Sequence, residues 1–573
     1  MKKRNNLFLN KKRLGVALVA VFFPGLVFSQ HRRAMQLETK VEQAVNVARP
    51  ASVRLWGFDT LLRQRTSGQF SGVVVKGGYI LTAAHVSQPG DTYKVMFPDG
   101  REGIAKALGK IEFAEDKTRP DVALMKIITK GNWPYAEMGS SANLRAFEPC
   151  ISISYPESLD QSQPTLRFGY VSEPHVARGF IKSTCIMEPG DSGGPLFDCE
   201  GRVIGLHSAI EVPERDNYDV PIDLYKKYWT ALNETISYHS LPEKEDAIGP
   251  PGAIRPPVYP GLKDMPAFTG VNKKYKNSCV TIVSKLDGKQ QKITGTLFSL
   301  QGTSLLKIWN GPVIVTKSSM VGDTGITILD HSKTVKAFII GRDKSTDLVL
   351  LQPLAKLRGG IKFRDIEGNK QANTPQGAFL VSHQPDSPAV ASVLGSMRFD
   401  LARVSSVAFS GATARRDSKP ATIYFVRPGS PAAANDIRAG DVVTRLSGEL
   451  LSNADDFSQG MLKYWPSDTV SIQIKRAGNE MVRHIVLTYP PPVKHNHPAE
   501  IFAGGKSLRR DGFNSIYAHD AIIRPDQCGG PAFDISGHFC GINIARFSRA
   551  ISLFLPSRNV ANFINNISMR RTK

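Results

Sequence analysis

The sequence lacks a comfortable membrane span. Its candidate apolar run, Leu14 to Val27, is only about fourteen residues long and is broken by Pro24-Gly25. A basic segment precedes the run, and Val27-Phe28-Ser29 fits a small-residue cleavage site before Gln30, so residues 1–29 read as a removable export signal. The chain is then expected in a periplasmic or extracellular space, with no stable membrane anchor after cleavage. Acidic residues are short too: 51 Asp and Glu face 73 Lys and Arg, for a net charge of +22, six of it in Lys2, Lys3, Arg4, Lys11, Lys12 and Arg13. No basic tract with interleaved aromatics accompanies that charge, so it reads as a generally basic surface favouring anionic partners, with no nucleic acid. Cysteine is sparse at six residues, although an exported chain can pair them. Metal ligands in company are missing: His495-Asn496-His497 has no acid or thiol beside it, so neither a metal nor another cofactor is expected. Helical periodicity is scarce in the first 240 residues, apart from Glu38–Val47 and an amphipathic stretch from Leu224.

The composition is otherwise that of a globular protein, 41% hydrophobic and 22% charged, and 573 residues are enough for about three domains. Short β-type runs dominate the first part: Ser71–Lys76, Tyr79–Thr82, Val122–Ile127, Cys150–Ser154 and Val203–Leu206. The chain is organised around Glu188-Pro189-Gly190-Asp191-Ser192-Gly193-Gly194-Pro195. This turn exposes a serine hydroxyl between glycines, with the N–H groups of Gly190 and Ser192 available to converge on one point. Such a hydroxyl needs a base, and the base needs a carboxylate to orient it. Both lie upstream. His85 follows an apolar strand in Gly77-Gly78-Tyr79-Ile80-Leu81-Thr82-Ala83-Ala84-His85, and Asp121 opens another in Pro120-Asp121-Val122-Ala123-Leu124-Met125.

The order His85, Asp121, Ser192 resembles the chymotrypsin-like (trypsin-like) serine proteases, and the wording around each residue is most similar to their HtrA/Deg branch. The resemblance implies two antiparallel β-barrels in residues 30–240. It also implies a cleft between them in which Ser192 is nucleophile, His85 general base and then acid, Asp121 its orienting carboxylate, and Gly190 and Ser192 the oxyanion donors. In trypsin-like enzymes the residue six before the nucleophile floors the specificity pocket. Here it is Ile186, which implies no preference for Lys or Arg. His207 lies fifteen residues after Ser192, in wording similar to glutamyl endopeptidases, where a pocket histidine meets a Glu side chain. Glu and small aliphatic preferences both stay open, as does the reading of His207 as a packed strand residue. Cys150 and Cys199 resemble a disulfide of the trypsin family that ties the second barrel to the strand after the nucleophile, with the second cysteine one residue later than in that family. Cys185, Cys279, Cys528 and Cys540 are not assigned.

Pro and Gly crowd residues 241–270, an extended linker. Beyond it the first unit's motifs recur. Val313-Ile314-Val315-Thr316-Lys317-Ser318-Ser319 matches the segment ending at His85, Ser345-Thr346-Asp347-Leu348-Val349 matches that around Asp121, and Pro525-Asp526-Gln527-Cys528-Gly529-Gly530-Pro531 matches the Ser192 turn. Ser319 stands in the histidine's place and Cys528 in the serine's. Viral chymotrypsin-like proteases do use cysteine, but Ser319 is no base, so a dead second site is expected in residues 271–402 plus 490–573. Residues 403–489 interrupt this copy. Val426-Arg427-Pro428-Gly429-Ser430-Pro431-Ala432 and Ala439-Gly440-Asp441-Val442-Val443 resemble the PDZ domains that accompany HtrA-like proteases, which implies capture of peptide C-termini. The expected fold is therefore mainly β: two double-barrel units, the second degenerate, with an α/β PDZ domain inserted in the second. The expected function is an exported serine endopeptidase acting on proteins or peptides; the rival is a non-catalytic peptide-binding scaffold or chaperone-like protein. Oligomeric state is not legible.

Overall fold

The computed structural model describes residues 23–113, 120–159, 162–176, 179–249, 256–265, 276–330, 333–367, 374–493 and 496–572. Most of the export signal, part of the Pro/Gly linker and Arg119 lie outside them.

Helix α1 (Phe23–Ala48) leads into the first barrel. Ala34, Leu37, Val41, Ala44, Val45 and Ala48 are buried at helical spacing, so one apolar stripe faces inward. The first barrel contains β1 (Ser52–Asp59), β2 (Gln64–Val75), β3 (Tyr79–Thr82), β4 (Thr92–Met96), β5 (Glu102–Ile111) and β6 (Val122–Ile127). The second contains β7 (Pro149–Ser154), β8 (Thr165–Glu173), β9 (Ile181–Ser183), β10 (Pro195–Phe197), β11 (Val203–Ile210) and β12 (Asn217–Pro221). Around each barrel the strands neighbour one another in the same order, first, second, third, sixth, fifth, fourth, and both close. β13 (Ser237–Tyr238) adds a parallel edge to β5. Alternation explains the interiors: β5 reads exposed, buried, part-buried, buried, and its buried residues Ala105 and Ala107 meet Val53, Leu55, Phe70 and Val95.

The next barrel repeats that order with β14 (Cys279–Leu286), β15 (Lys289–Ser299), β16 (Val313–Lys317), β17 (Thr324–Asp330), β18 (Lys333–Asp343) and β19 (Leu348–Pro353), with β20 (Ile361–Lys362) added to β15. The last sheet repeats it once more, but its second strand is split into β22 (Val390–Val393) and β23 (Phe399–Leu401), after β21 (Phe379–Ser382). Between β23 and its partner the chain leaves to build a smaller body: β24 (Ala412–Ala414), β25 (Ile423–Val426), β26 (Val442–Leu446), β27 (Glu449–Leu450), β28 (Thr469–Arg476), β29 (Asn479–Val486) and two short helices, Pro431–Ala434 and Ala454–Met461. Both helices start on a side-chain cap: Ser430 accepts from the Ala433 N–H and Asn453 from the Asp456 N–H. This body has its own core, in which Ile423, Val443, Leu446, Phe457, Ile472, Ile474 and Ile485 pack together. The chain then returns as β30 (Phe513–His519), which pairs with β23, and finishes with β31 (Pro531–Asp534), β32 (Phe539–Arg546) and β33 (Ser552–Pro556) before the helix Ser557–Thr572.

The two units share a core. Phe379, Val381, Val393 and Ile535 of the second pack with α1 and with Ile151, Ile153 and Leu166 of the first. Buried polar groups stitch the same seam: the Asp520 carboxylate accepts from the Phe168 N–H at 2.9 Å and the Val393 N–H at 2.8 Å, and Glu38 accepts from the Phe379 N–H at 2.7 Å.

The expected bond between Cys150 and Cys199 is absent; all six cysteines are free thiols. Cys150 points into the second barrel, where its sulfur lies 3.9 Å from that of Cys185. Cys199 follows β10 and packs on the outside, against the core that includes α1. The one-residue displacement noted in the sequence is enough to separate them, because successive residues near a strand face opposite ways.

Candidate active site

β3 and β6 are neighbours, with Thr82 opposite Ala123, so the residues just beyond the end of one and just before the start of the other share one barrel mouth. A short turn at Ala84–Val86 carries His85 there, and Asp121 immediately precedes β6. The His85 N–H donates to Asp121 Oδ1 at 2.9 Å, and its ring Nδ1 lies 2.7 Å from Oδ2. Nε2 lies 2.9 Å from the Ser192 Oγ, contributed by the other barrel. Ser208 Oγ adds a 2.7 Å bond to Asp121 Oδ2. The structure thus brings together all three residues that the sequence singled out, and Ser208 is a fourth member that the sequence did not flag. Burial pushes the imidazole pKa down, but the bond to Asp121 and its negative charge more than offset this, so His85 stays above its ordinary value. For Asp121 burial pushes upward and is outweighed by His85 and Ser208, so it stays below its ordinary value.

The Ser192 turn is set by hydrogen bonds on its far side. The Pro189 carbonyl accepts from the Glu157 N–H at 2.8 Å, and the Asp191 carbonyl from the Gly194 N–H at 2.7 Å. In a trans peptide the N–H points opposite to the carbonyl, so the amides of Gly190 and Ser192 are turned away from those partners. Gly190 has φ +94°, and a Cβ there would sit 2.4 Å from the Glu157 nitrogen, so only glycine fits.

Behind the turn is a buried ion pair. Asp191 Oδ2 lies 2.8 Å from Arg167 Nη1, and both side chains are 1% exposed. Ser154 Oγ donates to Asp191 Oδ1 at 2.7 Å and the Glu188 N–H to Oδ2 at 2.8 Å, so each carboxylate oxygen is satisfied. Arg167 is a positioning residue that sequence reasoning missed. Only its place on the inward face of β8 marked it.

The pocket expectations need correcting. From Ile181 to Met187 burial alternates, with Ser183, Cys185 and Met187 inward. Ile186 therefore points out of the barrel, toward the core of the second unit, and lines cavities between the units instead of a floor beneath Ser192. His207 is 1% exposed, with Nε2 2.6 Å from Ser152 Oγ and Nδ1 2.5 Å from Asp219 Oδ1, while Ser183 Oγ donates to the other Asp219 oxygen at 2.9 Å. Both ring nitrogens are engaged inside the barrel. His207 is a packed strand residue.

In the second unit the same positions assemble differently. Ser319 keeps the backbone contact, its N–H donating to Asp347 Oδ1 at 2.8 Å, and its hydroxyl donates to Oδ2 at 2.9 Å. The rest of Asp347 is taken by cations: Lys317 Nζ at 2.6 Å and Arg509 Nη1 at 3.7 Å. Arg509 is itself held over the Trp465 ring, 3.8 Å from its centroid. Cys528 is fully buried, its sulfur near Ser507 Oγ and the Arg524 carbonyl, and burial pushes its thiol pKa up. His519 bonds to Ser392 and His538 to Asp534. In the inserted body, within Ala408-Phe409-Ser410-Gly411, Phe409 pairs both ways with Thr488, the Ser410 carbonyl accepts from the Ala432 N–H and the Gly411 carbonyl from the Arg427 N–H.

A serine within hydrogen-bond reach of a carboxylate-oriented histidine, at the mouth between two closed six-stranded barrels, defines a trypsin-like serine endopeptidase. Residues 70–206 match the trypsin-like peptidase domain family, and residues 406–485 match the PDZ domain family. The chain is similar to DegP-like and other serine proteases. It is 23% identical over 439 residues to the "Probable periplasmic serine endoprotease DegP-like" of Brucella suis biovar 1, covering 74% of each chain. It is 35% identical over 141 residues to the protein of the same name from Halomonas elongata, covering 24% of this chain and 28% of that one.

Proposed function

We propose that this serine endopeptidase is exported and cuts polypeptides in the first unit alone, through His85, Asp121 and Ser192. The observation that carries the reading is the unbroken line of contacts Asp121–His85–Ser192. His85 Nε2 takes the Ser192 proton as Oγ attacks the scissile carbonyl. Asp121, held by Ser208 and the His85 N–H, keeps the imidazole in the required tautomer and balances its positive form. The amides of Gly190 and Ser192 receive the oxyanion, and the ion pair Arg167–Asp191 braces that turn from behind. His85 then protonates the leaving amine, and water hydrolyses the acyl-enzyme by the same steps reversed.

The second site is inactive: Asp347 is neutralised by Lys317 and Arg509, the Cys528 sulfur contacts Ser507 and the Arg524 carbonyl, and burial holds its thiol in the neutral form. The PDZ domain assists by holding substrate segments. A small aliphatic residue before the scissile bond is favoured over Glu, because a substrate carboxylate would have to displace Ser152 or Asp219 from His207. Export is supported by the periplasmic naming of the Brucella and Halomonas relatives.

The test is turnover of an unfolded protein substrate together with labelling by a serine-directed fluorophosphonate. Turnover with label on Ser192, both lost in Ser192→Ala, is the expected result. A folded wild type that binds peptide without turnover or labelling would leave the scaffold reading in its place.

A further inference from the structure

The hairpin joining β11 to β12 runs beside the segment that feeds the Ser192 turn, and it is gripped from outside by the second unit. Arg549, fully buried, donates through Nη2 to the Glu214 carbonyl at 2.6 Å and to Asn217 Oδ1 at 3.4 Å. Its Nη1 donates to the carbonyls of Glu211 at 3.3 Å and Pro498 at 3.2 Å. Arg546, 1% exposed, reaches Glu214 Oε1 through Nη2 at 2.6 Å and the Ala521 carbonyl through Nη1 at 3.3 Å. Arg546 also donates to the Arg549 carbonyl, so the two arginines form one group.

The grip continues inward. Asn217 Oδ1 accepts from the Met187 N–H at 2.9 Å, and its amide donates to the Glu214 carbonyl at 3.1 Å. Met187 lies five residues before Ser192, and Glu188, which follows it, gives its own N–H to Asp191. The support behind Arg546 comes from the unused site. Ser507, in contact with Cys528, accepts from the Arg546 N–H at 3.0 Å and donates to its carbonyl at 2.9 Å. A plain seam between two barrels is made more economically by apolar residues, as the shared core around Phe379 shows, because buried cations carry a desolvation penalty that only well-placed acceptors offset. These arginines spend their donors largely on one hairpin, and three of the acceptors on that hairpin are backbone carbonyls or the residue that holds Met187.

We propose that the second, non-hydrolysing unit serves the first as a positioning element: Arg549 and Arg546 hold the 211–217 hairpin and, through Asn217, the Met187 amide, so that the Ser192 turn is ordered before substrate arrives. This inference rests on Ser192 being the nucleophile. Without the grip the competent arrangement is only fractionally populated, and apparent activity falls by that fraction.

The experiment uses the full chain with Arg549→Met, Arg549→Lys and Glu214→Gln. For each, kcat and KM on a peptide, the second-order rate of fluorophosphonate labelling at Ser192, and Tm are measured. Arg549→Met is expected to lower kcat/KM about 10-fold or more, well below its Tm, with labelling slowed in parallel. Arg549→Lys, which keeps the charge but reaches fewer carbonyls, is expected to recover part of both. Glu214→Gln loses only the Arg546 leg and should show a smaller loss of the same kind. A folded Arg549→Met with wild-type kcat/KM and labelling but a lowered Tm would reduce the arginines to interface glue and overturn the proposal. If Arg549→Met does not fold, unchanged labelling in folded Glu214→Gln and Arg549→Lys overturns it equally. Failure of the underlying reading looks different: the wild type itself would neither turn over peptide nor label at Ser192, and the inference would fall with it.

Discussion

The first and second units differ in what surrounds a shared backbone. Gly193 and Gly529 occupy the same turn at φ +75° and +89°, and an added Cβ would meet Thr82 Oγ1 at 2.0 Å in one and Thr316 Oγ1 at 2.2 Å in the other. The Gly193 N–H donates to the His207 carbonyl at 2.8 Å, and the Gly529 N–H to the Asn543 carbonyl at 2.7 Å. Asp121 and Asp347 both receive the amide of the residue in the histidine position. What differs is the partner for each aspartate's charge. In the first unit it is the His85 imidazole; in the second it is the Lys317 ammonium and the Arg509 guanidinium. The strand order is thus the same in both units, and the side chains beside each aspartate are what distinguish them.

That contrast can be broken most sharply at the nucleophiles. Ser192→Ala is expected to lower peptide hydrolysis on the order of 10⁴-fold or more, while Cys528→Ala leaves it unchanged, as steady-state rates on one substrate will show. Activity that survives the first change and disappears with the second reverses the assignment of the two units.

Arg167→Met tests the buried cation behind the active turn. Asp191 would be left charged and unpaired, at a cost of about 3–5 kcal/mol in stability by urea denaturation. An unaltered midpoint would mean that the pair contributes no net stability.

The titration of the first site sharpens the comparison. His85 must be neutral to accept the serine proton and is held above its ordinary value, so kcat/KM should rise with pH through a midpoint above about 6.5. Asp121→Asn should move that midpoint down. The same raised value means that protonating His85 beside ionised Asp121 stabilises the fold, fully so below about 6.5 and lost as pH rises through the folded His85 pKa, while the lowered Asp121 loses its share as pH falls through its own folded pKa. A midpoint at or below the ordinary histidine value counts against the reading of Asp121.

Smaller effects follow at the barrel interior. Asn543 stands in the second unit where His207 stands in the first, so His207→Asn is a swap between copies. It removes the link to Asp219 and should cost roughly 1–3 kcal/mol while leaving the cleavage preference of a peptide library unchanged. A lost Glu preference in that library would return His207 to the pocket wall. Smallest of all, the cysteines should make no covalent link, and thiol counting on denatured, unreduced protein should find six. A count of four would restore a disulfide.

Much of this was legible in the sequence because it depends on local chemistry. β3 and β6 begin and end at the predicted residues, since a run of apolar residues after a Gly-Gly turn or after Pro-Asp has few other conformations. His85, Asp121 and Ser192 could be picked out because each sits at a strand end or turn whose wording is itself constrained. Arg167 could not be picked out. A single arginine in β8 carries no sign that its partner lies in another turn until the barrel closes. The failures at Ile186 and Cys199 have one cause: counting from Ser192 gives distance along the chain, but facing is set by alternation, and one residue reverses it. Arg546 and Arg549 were out of reach for the same reason as Arg167, because their acceptors lie more than 300 residues away.

The PDZ domain leaves and rejoins the second unit on paired strands, β23 and β30, with Phe399 opposite Ile516 and Leu401 opposite Phe513. A domain strung on one flexible tether samples a wide volume, and its effect on a neighbouring site is one of local concentration. Here one leg is β23, and the return to β30 includes residues that pack on the second unit, with Ser507 bonded to Arg546 and Arg509 paired with Asp347, so the domain is held at both ends. A load on it reaches the barrel as torsion of a ladder, so a bound peptide would be felt as a change of twist at β30, whose far end, His519, is followed at once by Asp520 on the seam.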